Sequence, residues 1–320
     1  MEIFNSTLTQ MLVMFCFILT GFVLKKMKLL PDNAATVLSK LENYVLVPAL
    51  VLDTFMTYCT VDSLKSNYTL ILYCLLLLVV AFVISFPLSK VFSKEKNLTE
   101  SEQKYRRSIY KYALSFGNFA FMGNAVVLGV LGDEGLFSYL LFTLPLNIAV
   151  YTWGVIILIP EGRGGKSPVK NLFNPIFVSL LAGLVLGLLN VKSVLPQFVN
   201  TTIANAKGCM GPVAMILTGF VIGGYNISEL LTKKRIYAAT GLRLVVIPAV
   251  MLLLLKALGV SDEIMTLAVF AYATPLGLNT VVFPAAYGGD TKTGASMAMI
   301  SHTLAVATIP LMYLIFIVVL

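Results

Sequence analysis

Charge is what this sequence has least of. Only 12% of its residues are Asp, Glu, Lys or Arg, against roughly 25% in a soluble domain, which excludes an ordinary water-soluble globule. Histidine and tryptophan occur once each. The four cysteines, Cys16, Cys59, Cys74 and Cys209, show no paired spacing, so they build no metal or redox motif and read as small apolar residues. The sequence also offers no paired carboxylates, His-rich metal set or nucleophile with a base, which argues against an intramembrane enzyme. What fills the chain is apolar: 58% of 320 residues are hydrophobic, and the mean hydropathy is +0.90. An all-α polytopic membrane protein is expected.

An apolar helix needs about 20 residues to cross the hydrocarbon. Ten stretches approach that length: 8 to 24, 43 to 58, 68 to 89, 112 to 131, 137 to 159, 172 to 190, 209 to 225, 237 to 258, 264 to 287 and 294 to 320. The start, Met1-Glu2-Ile3-Phe4-Asn5, lacks the basic flank of a cleavable signal peptide, so the first run is expected to stay as a helix. The net charge of +8 would suggest nucleic acid in a soluble protein, but its distribution follows the membrane instead. Of the 23 Lys and Arg, eighteen fall in the loops after spans 1, 3, 5, 7 and 9, four in the opposite loops, and Arg243 inside a span. Both termini are therefore expected outside a cell membrane, with no nucleic-acid partner. Asn-x-Ser/Thr sequons at Asn5, Asn67, Asn97, Asn200 and Asn226 fall on both expected sides and carry no weight.

The segment Asn124-Ala125-Val126-Val127-Leu128 recurs as Asn279-Thr280-Val281-Val282-Phe283, and each copy leads to a Gly-Asp pair, Gly132-Asp133 and Gly289-Asp290. Pro48 in span 2 likewise matches Pro212 in span 7. An odd number of spans per half makes the second half enter from the opposite side, giving a 5+5 inverted repeat. The halves are expected at residues 1–159 and 172–320, joined by a Gly-, Pro- and charge-rich cytoplasmic linker at 160–171. Span 4 carries Gly117, Asn118, Gly123 and Asn124; span 9 carries Pro275, Gly277, Asn279 and Thr280. Single glycines here are explained equally by close helix packing. With the asparagines and Pro275 they favour two interrupted helices, which point to the binding site of a secondary transporter, with half-helix N-termini suited to an anion.

Three ionisable residues fall inside spans, where a charge costs a few kcal/mol. Asp53 could bind a proton or cation, or sit hydrated near the outer boundary. Arg243 could balance a substrate carboxylate or Asp53, or snorkel toward the cytoplasmic boundary. His302 could relay a proton, or pack as a neutral, hydrogen-bonded side chain. Pro87, Pro145, Pro248 and Pro310 are expected to kink or end helices.

At Gly117-Asn118 through Phe121-Met122-Gly123, and again at Asn279-Thr280 followed by Tyr287-Gly288-Gly289-Asp290, the chain resembles the auxin efflux carrier family. The resemblance implies a fold shared with bile acid:sodium symporters: a scaffold of spans 1, 2, 6 and 7, and a transport domain of spans 3 to 5 and 8 to 10. It also implies spans 4 and 9 unwound where they cross, which by motif places the crossing at Asn124-Ala125 and Asn279-Thr280 with Asn118 nearby. Many relatives carry proline where this chain has Ala125 and Thr280; Gly123 and the asparagines still permit unwound backbone. The substrates implied are small organic anions such as auxin, malate and malonate, moved by an elevator-type shift in a homodimer joined through spans 2 and 7. No cofactor is implied, and coupling to sodium or protons stays open. The alternatives are a membrane sensor that uses the same pocket without net transport, and a sodium-coupled symporter of the bile-acid type.

Overall fold

Long runs of Leu, Val, Ile and Phe without charge leave a backbone in lipid no partner but its own, and the helix is the form that satisfies it within one segment. The computed structural model, which describes residues 1–95, 98–162 and 167–320, follows that rule: among these residues it is all-helical, with a single isolated β-bridge. Arg163 to Lys166 of the expected linker, Lys96 and the Asn97 sequon lie outside the described residues. In chain order the longer helices are α1 (Glu2–Lys26), α2 (Ala34–Tyr58), α3 (Val61–Ser93), α4 (Glu100–Ser115), α5 (Phe119–Phe142), α6 (Leu144–Leu158), α7 (Pro175–Leu188), α8 (Gln197–Gly223), α9 (Lys234–Ala257), α10 (Asp262–Tyr272), α11 (Asn279–Tyr287) and α12 (Lys292–Val319), with short helical turns at Pro168–Leu172, Val191–Ser193 and Ile227–Leu231. Seven of them, α1, α2, α3, α5, α8, α9 and α12, are long and apolar enough to cross a membrane, while α6 and α7 are apolar but shorter. The protein is an all-α polytopic membrane protein.

Proline leaves a local signature in α2 and α9. Each contains a π turn, Glu42–Leu46 and Leu242–Val246, placed directly before Val47-Pro48 and Ile247-Pro248. Proline's ring crowds the carbonyl four residues back, and a π turn relieves this by moving the hydrogen bond one residue further. Accordingly the Val47 N–H reaches Glu42 O and the Ile247 N–H reaches Leu242 O. Pro212, matched to Pro48 from the sequence, instead lies within a continuous stretch of α8.

Glycine sets the closest helix contacts. A methyl on Gly219 of α8 would overlap the Ile18 carbonyl of α1, and one on Gly21 of α1 would overlap the Ile216 carbonyl of α8. Along α7, Gly183 and Gly187 face Phe55 of α2 in the same way. Small residues let backbones approach where no hydrophobic effect drives helix association. Helix α5 is kinked at Gly132, whose φ of 70° and ψ of −165° suit glycine alone. This separates the residues up to Leu131 from the run that begins at Asp133 and continues into α6. In the second half α11 is capped by Gly288, which adopts φ 69° one residue before the matching Gly289-Asp290 pair, and Asp290 accepts from the Thr293 N–H at the start of α12.

Candidate functional site

Two gaps in the helical backbone meet inside the bundle. The chain is non-helical at Phe116-Gly117-Asn118 between α4 and α5, and again from Ala273 to Leu278 between α10 and α11. The gaps touch as an antiparallel bridge, Gly117 with Leu276, and the Asn118 N–H donates to the Pro275 carbonyl at 2.7 Å. Gly117 fits because it has no side chain: a methyl there would overlap the Thr274 hydroxyl and lie 2.5 Å from Nη2 of Arg243.

This corrects the expected position in the first half. The break lies at Phe116 to Asn118, and Asn124-Ala125 sits beyond a π turn, Phe119–Gly123, inside α5. The reason is local: Gly117 can take the extended path against Leu276, whereas Asn124 continues a helical run with its N–H on Phe119 O. The second half is corrected in the same way: the gap ends at Leu278, and Asn279 and Thr280, where the crossing was expected, already lie in the first turn of α11. Gly123 packs against the Tyr139 hydroxyl, and Gly277 lies near the Gly117 carbonyl.

Side chains from other helices fasten the crossing. The Tyr139 hydroxyl lies 2.9 Å from Phe119 O and 3.0 Å from Phe270 O, so one buried proton ties the backbones beside both gaps. Ser301 of α12 accepts the Leu276 N–H at 3.1 Å. The Asn279 amide donates to the Tyr112 hydroxyl at 2.7 Å. His302 is buried, with Nδ1 2.7 Å from Ala298 O and Nε2 3.1 Å from the Asn118 amide nitrogen. A neutral ring protonated on Nδ1 satisfies both contacts, donating to Ala298 O and accepting from Asn118. Asn124 keeps its amide oxygen buried without a partner, and the Ala125 carbonyl accepts from Gln10 of α1 at 3.2 Å.

Arg243 is fully buried and is the largest such side chain described. It does not snorkel. From α9 it reaches the crossing, where Nη1 donates at 2.6 Å to the carbonyl of Tyr272, the last residue of α10. A cation at a helix C-terminus is favourable. Its Nε and Nη2 have no hydrogen-bond partner, and no ion pair among the described residues includes it.

Asp53 lies far from this arrangement in contacts. It is buried between two cations, with Lys192 at 2.5 Å and Lys207 at 3.0 Å, and Lys207 also pairs with Asp133 beside the α5 kink. The network joins α2, α8, the loop between α7 and α8, and α5. Sequence reading did not single out Lys207, Tyr139, Tyr112 or Ser301, because each acts through a residue far away in the chain. Glu42 was also missed: it is fully buried in the α2 π turn and both its carboxyl oxygens lack partners. A charged residue within an apolar run was the available signal. A cavity of about 760 Å³ opens elsewhere, between the start of α4, the end of α6 and the α11–α12 turn, lined by Ser101, Tyr105, Arg106, Ile157, Gly289 and Asp290.

These features define a class: an all-helical membrane protein in which two interrupted helices meet around a buried cation. Residues 6–313 match the family described as membrane transport protein, and the chain belongs to that family, the type its glycine–asparagine motifs resemble. It is similar to an uncharacterized transporter of Methanocaldococcus jannaschii, with 22% identity covering 94% of this chain and 96% of the relative. It is also similar to an uncharacterized transporter of Methanothermobacter thermautotrophicus, with 19% identity covering 77% of each chain.

Proposed function

We propose that this protein is a secondary transporter of small organic anions, carboxylates of the malate, malonate or auxin-like kind, working by elevator-type alternating access. One observation carries the reading: the two backbone gaps meet at Gly117 and Leu276 beside a buried cation, Arg243, that has no acidic partner. Interrupted helices at membrane depth serve ligand sites, because unwound backbone is tolerated only where protein or a cavity supplies partners. The positive ends of the half-helices that begin at Phe119 and Asn279 add to the preference for an anion.

In this reading ten spans form two inverted sets of five, with both termini outside the cell membrane. A scaffold of α1, α2, α7 and α8 holds a moving unit that contains the crossing, and two copies join through α2 and α8. Asn118, Gly123, Asn124, Ala125, Gly277, Asn279 and Thr280 line or shape the site. His302 holds Asn118, and the Asp53 cluster spans the boundary between scaffold and moving unit.

Purified protein in liposomes tests this directly. Saturable uptake or exchange of a carboxylate is expected, and Asn279→Ala is expected to slow it while the protein still inserts and purifies. Ligand binding with no flux in either direction would favour a membrane sensor instead.

A further inference from the structure

Deepening that reading, we propose that the Nε–Nη2 edge of Arg243 is the element that grips the substrate's carboxylate, and that the site is built for a single carboxylate group. The guanidinium presents its donors in fixed forks, and the side edge formed by Nε and Nη2 matches the two oxygens of a carboxylate. Here the third nitrogen is committed: Nη1 donates to Tyr272 O at 2.6 Å, which fixes the plane of the group against the end of α10. The remaining two nitrogens are the matched pair, and both are buried without a partner.

The fork faces the crossing. Nη2 packs closely against Gly117, where an added methyl would come within 2.5 Å of it and closer still to the Thr274 hydroxyl. Thr274 donates to Ala271 O at 3.0 Å, leaving its oxygen oriented by the backbone. A buried charge left unpaired is strongly unfavourable, so an arginine kept here with an empty carboxylate-shaped edge is explained by a ligand that fills it.

The charge count then selects the ligand. Among the described residues the other buried cation, Lys207, is already shared by Asp53 and Asp133. Arg243 alone neutralises incoming charge at the crossing. A second carboxylate on the ligand would enter the membrane interior without a partner, so a monocarboxylate is preferred over a dicarboxylate of the same length.

The experiment is a thermal-unfolding series on the full chain in detergent, with propionate and malonate as matched three-carbon probes. Propionate is expected to raise the wild-type melting temperature at lower concentration than malonate, since a ligand of the folded state stabilises it. Arg243→Gln is expected to lose the propionate shift, and Arg243→Lys to need about tenfold more propionate because it keeps the charge and loses the fork. An unchanged propionate shift in Arg243→Gln overturns the assignment while leaving anion transport standing. Malonate equal to or better than propionate on the wild type overturns the one-carboxylate rule, and needs no variant to fold. No shift with either probe, together with no carboxylate flux in liposomes, removes the underlying function as well.

Discussion

At the scale of single residues, the crossing is held by groups that act on backbone rather than on ligand. Tyr139 is the clearest: its hydroxyl contacts Phe119 O on one interrupted helix and Phe270 O on the other. Tyr139→Phe keeps the ring in its packed position and removes only that link. Phe119 O keeps the Asn124 N–H, and loss of the buried hydroxyl link costs about 0.5–1.5 kcal/mol, so the melting temperature of the purified protein is expected to fall, and an unchanged value would show that the link contributes nothing. Gly132 offers an independent residue-level case. Its φ of 70° with ψ of −165° lies where residues with a Cβ are strained, and Gly132→Ala is expected to destabilise by about 1–3 kcal/mol, read in the same unfolding assay. His302 belongs with Tyr139, since both ring nitrogens are used and its effect on a ligand passes through Asn118.

At the scale of elements, glycine contacts and one ion cluster decide how helices sit. The α1–α8 pair depends on Gly219, where any side chain meets the Ile18 carbonyl. Gly219→Val must separate two backbones, and a loss of about 1–3 kcal/mol is expected, typical of overpacking. The Asp53–Lys207–Asp133 cluster calls for a double-mutant cycle. Asp53→Asn alone leaves Lys207 with Asp133, and Lys207→Met alone leaves Asp53 with Lys192, so each single change is expected to be destabilising. The pair is expected to be less harmful than the two single losses added, with a coupling of about 0.5–3 kcal/mol; strict additivity would deny that the groups act as a unit. Much of this level was legible in the sequence. Apolar composition marked the chain as an all-α polytopic membrane protein, and the glycine–asparagine motifs lie in or just beyond both interruptions. Both crossing points were expected too late in the chain, at the matched pair Asn124-Ala125 and Asn279-Thr280, by six residues or more in the first half and by one in the second, while the backbone opens where Gly117 can lie against Leu276. That choice is made by a contact across the bundle. The π turns before Pro48 and Pro248 were not foreseen either, since a proline signals a disturbance without saying how the helix absorbs it.

At the scale of the whole molecule, the question is whether the crossing moves as a unit against the remaining helices. The contacts that tie it to α1 define where such motion must pass: Gln10 donates to Ala125 O, and Gly129 is close enough to Gln10 that an added methyl would overlap its amide. These residues join the two units of the elevator reading, α1 on the scaffold side and α5 on the moving side. A rigid-body shift cannot occur with that contact locked. Cysteines at positions 10 and 129, in a background with Cys16, Cys59, Cys74 and Cys209 replaced, place two thiols at this seam for a short bifunctional reagent. The cross-linked protein is expected to lose carboxylate flux in liposomes, to regain it when the link is reduced, and to keep its ligand-induced thermal shift throughout, because the crossing itself is untouched. Flux that survives complete cross-linking would mean that substrate passes without relative motion of α1 and α5. The gaps at Gly117 and Leu276 would then form a fixed pathway, and alternating access would have to be sought in the local backbone of the crossing.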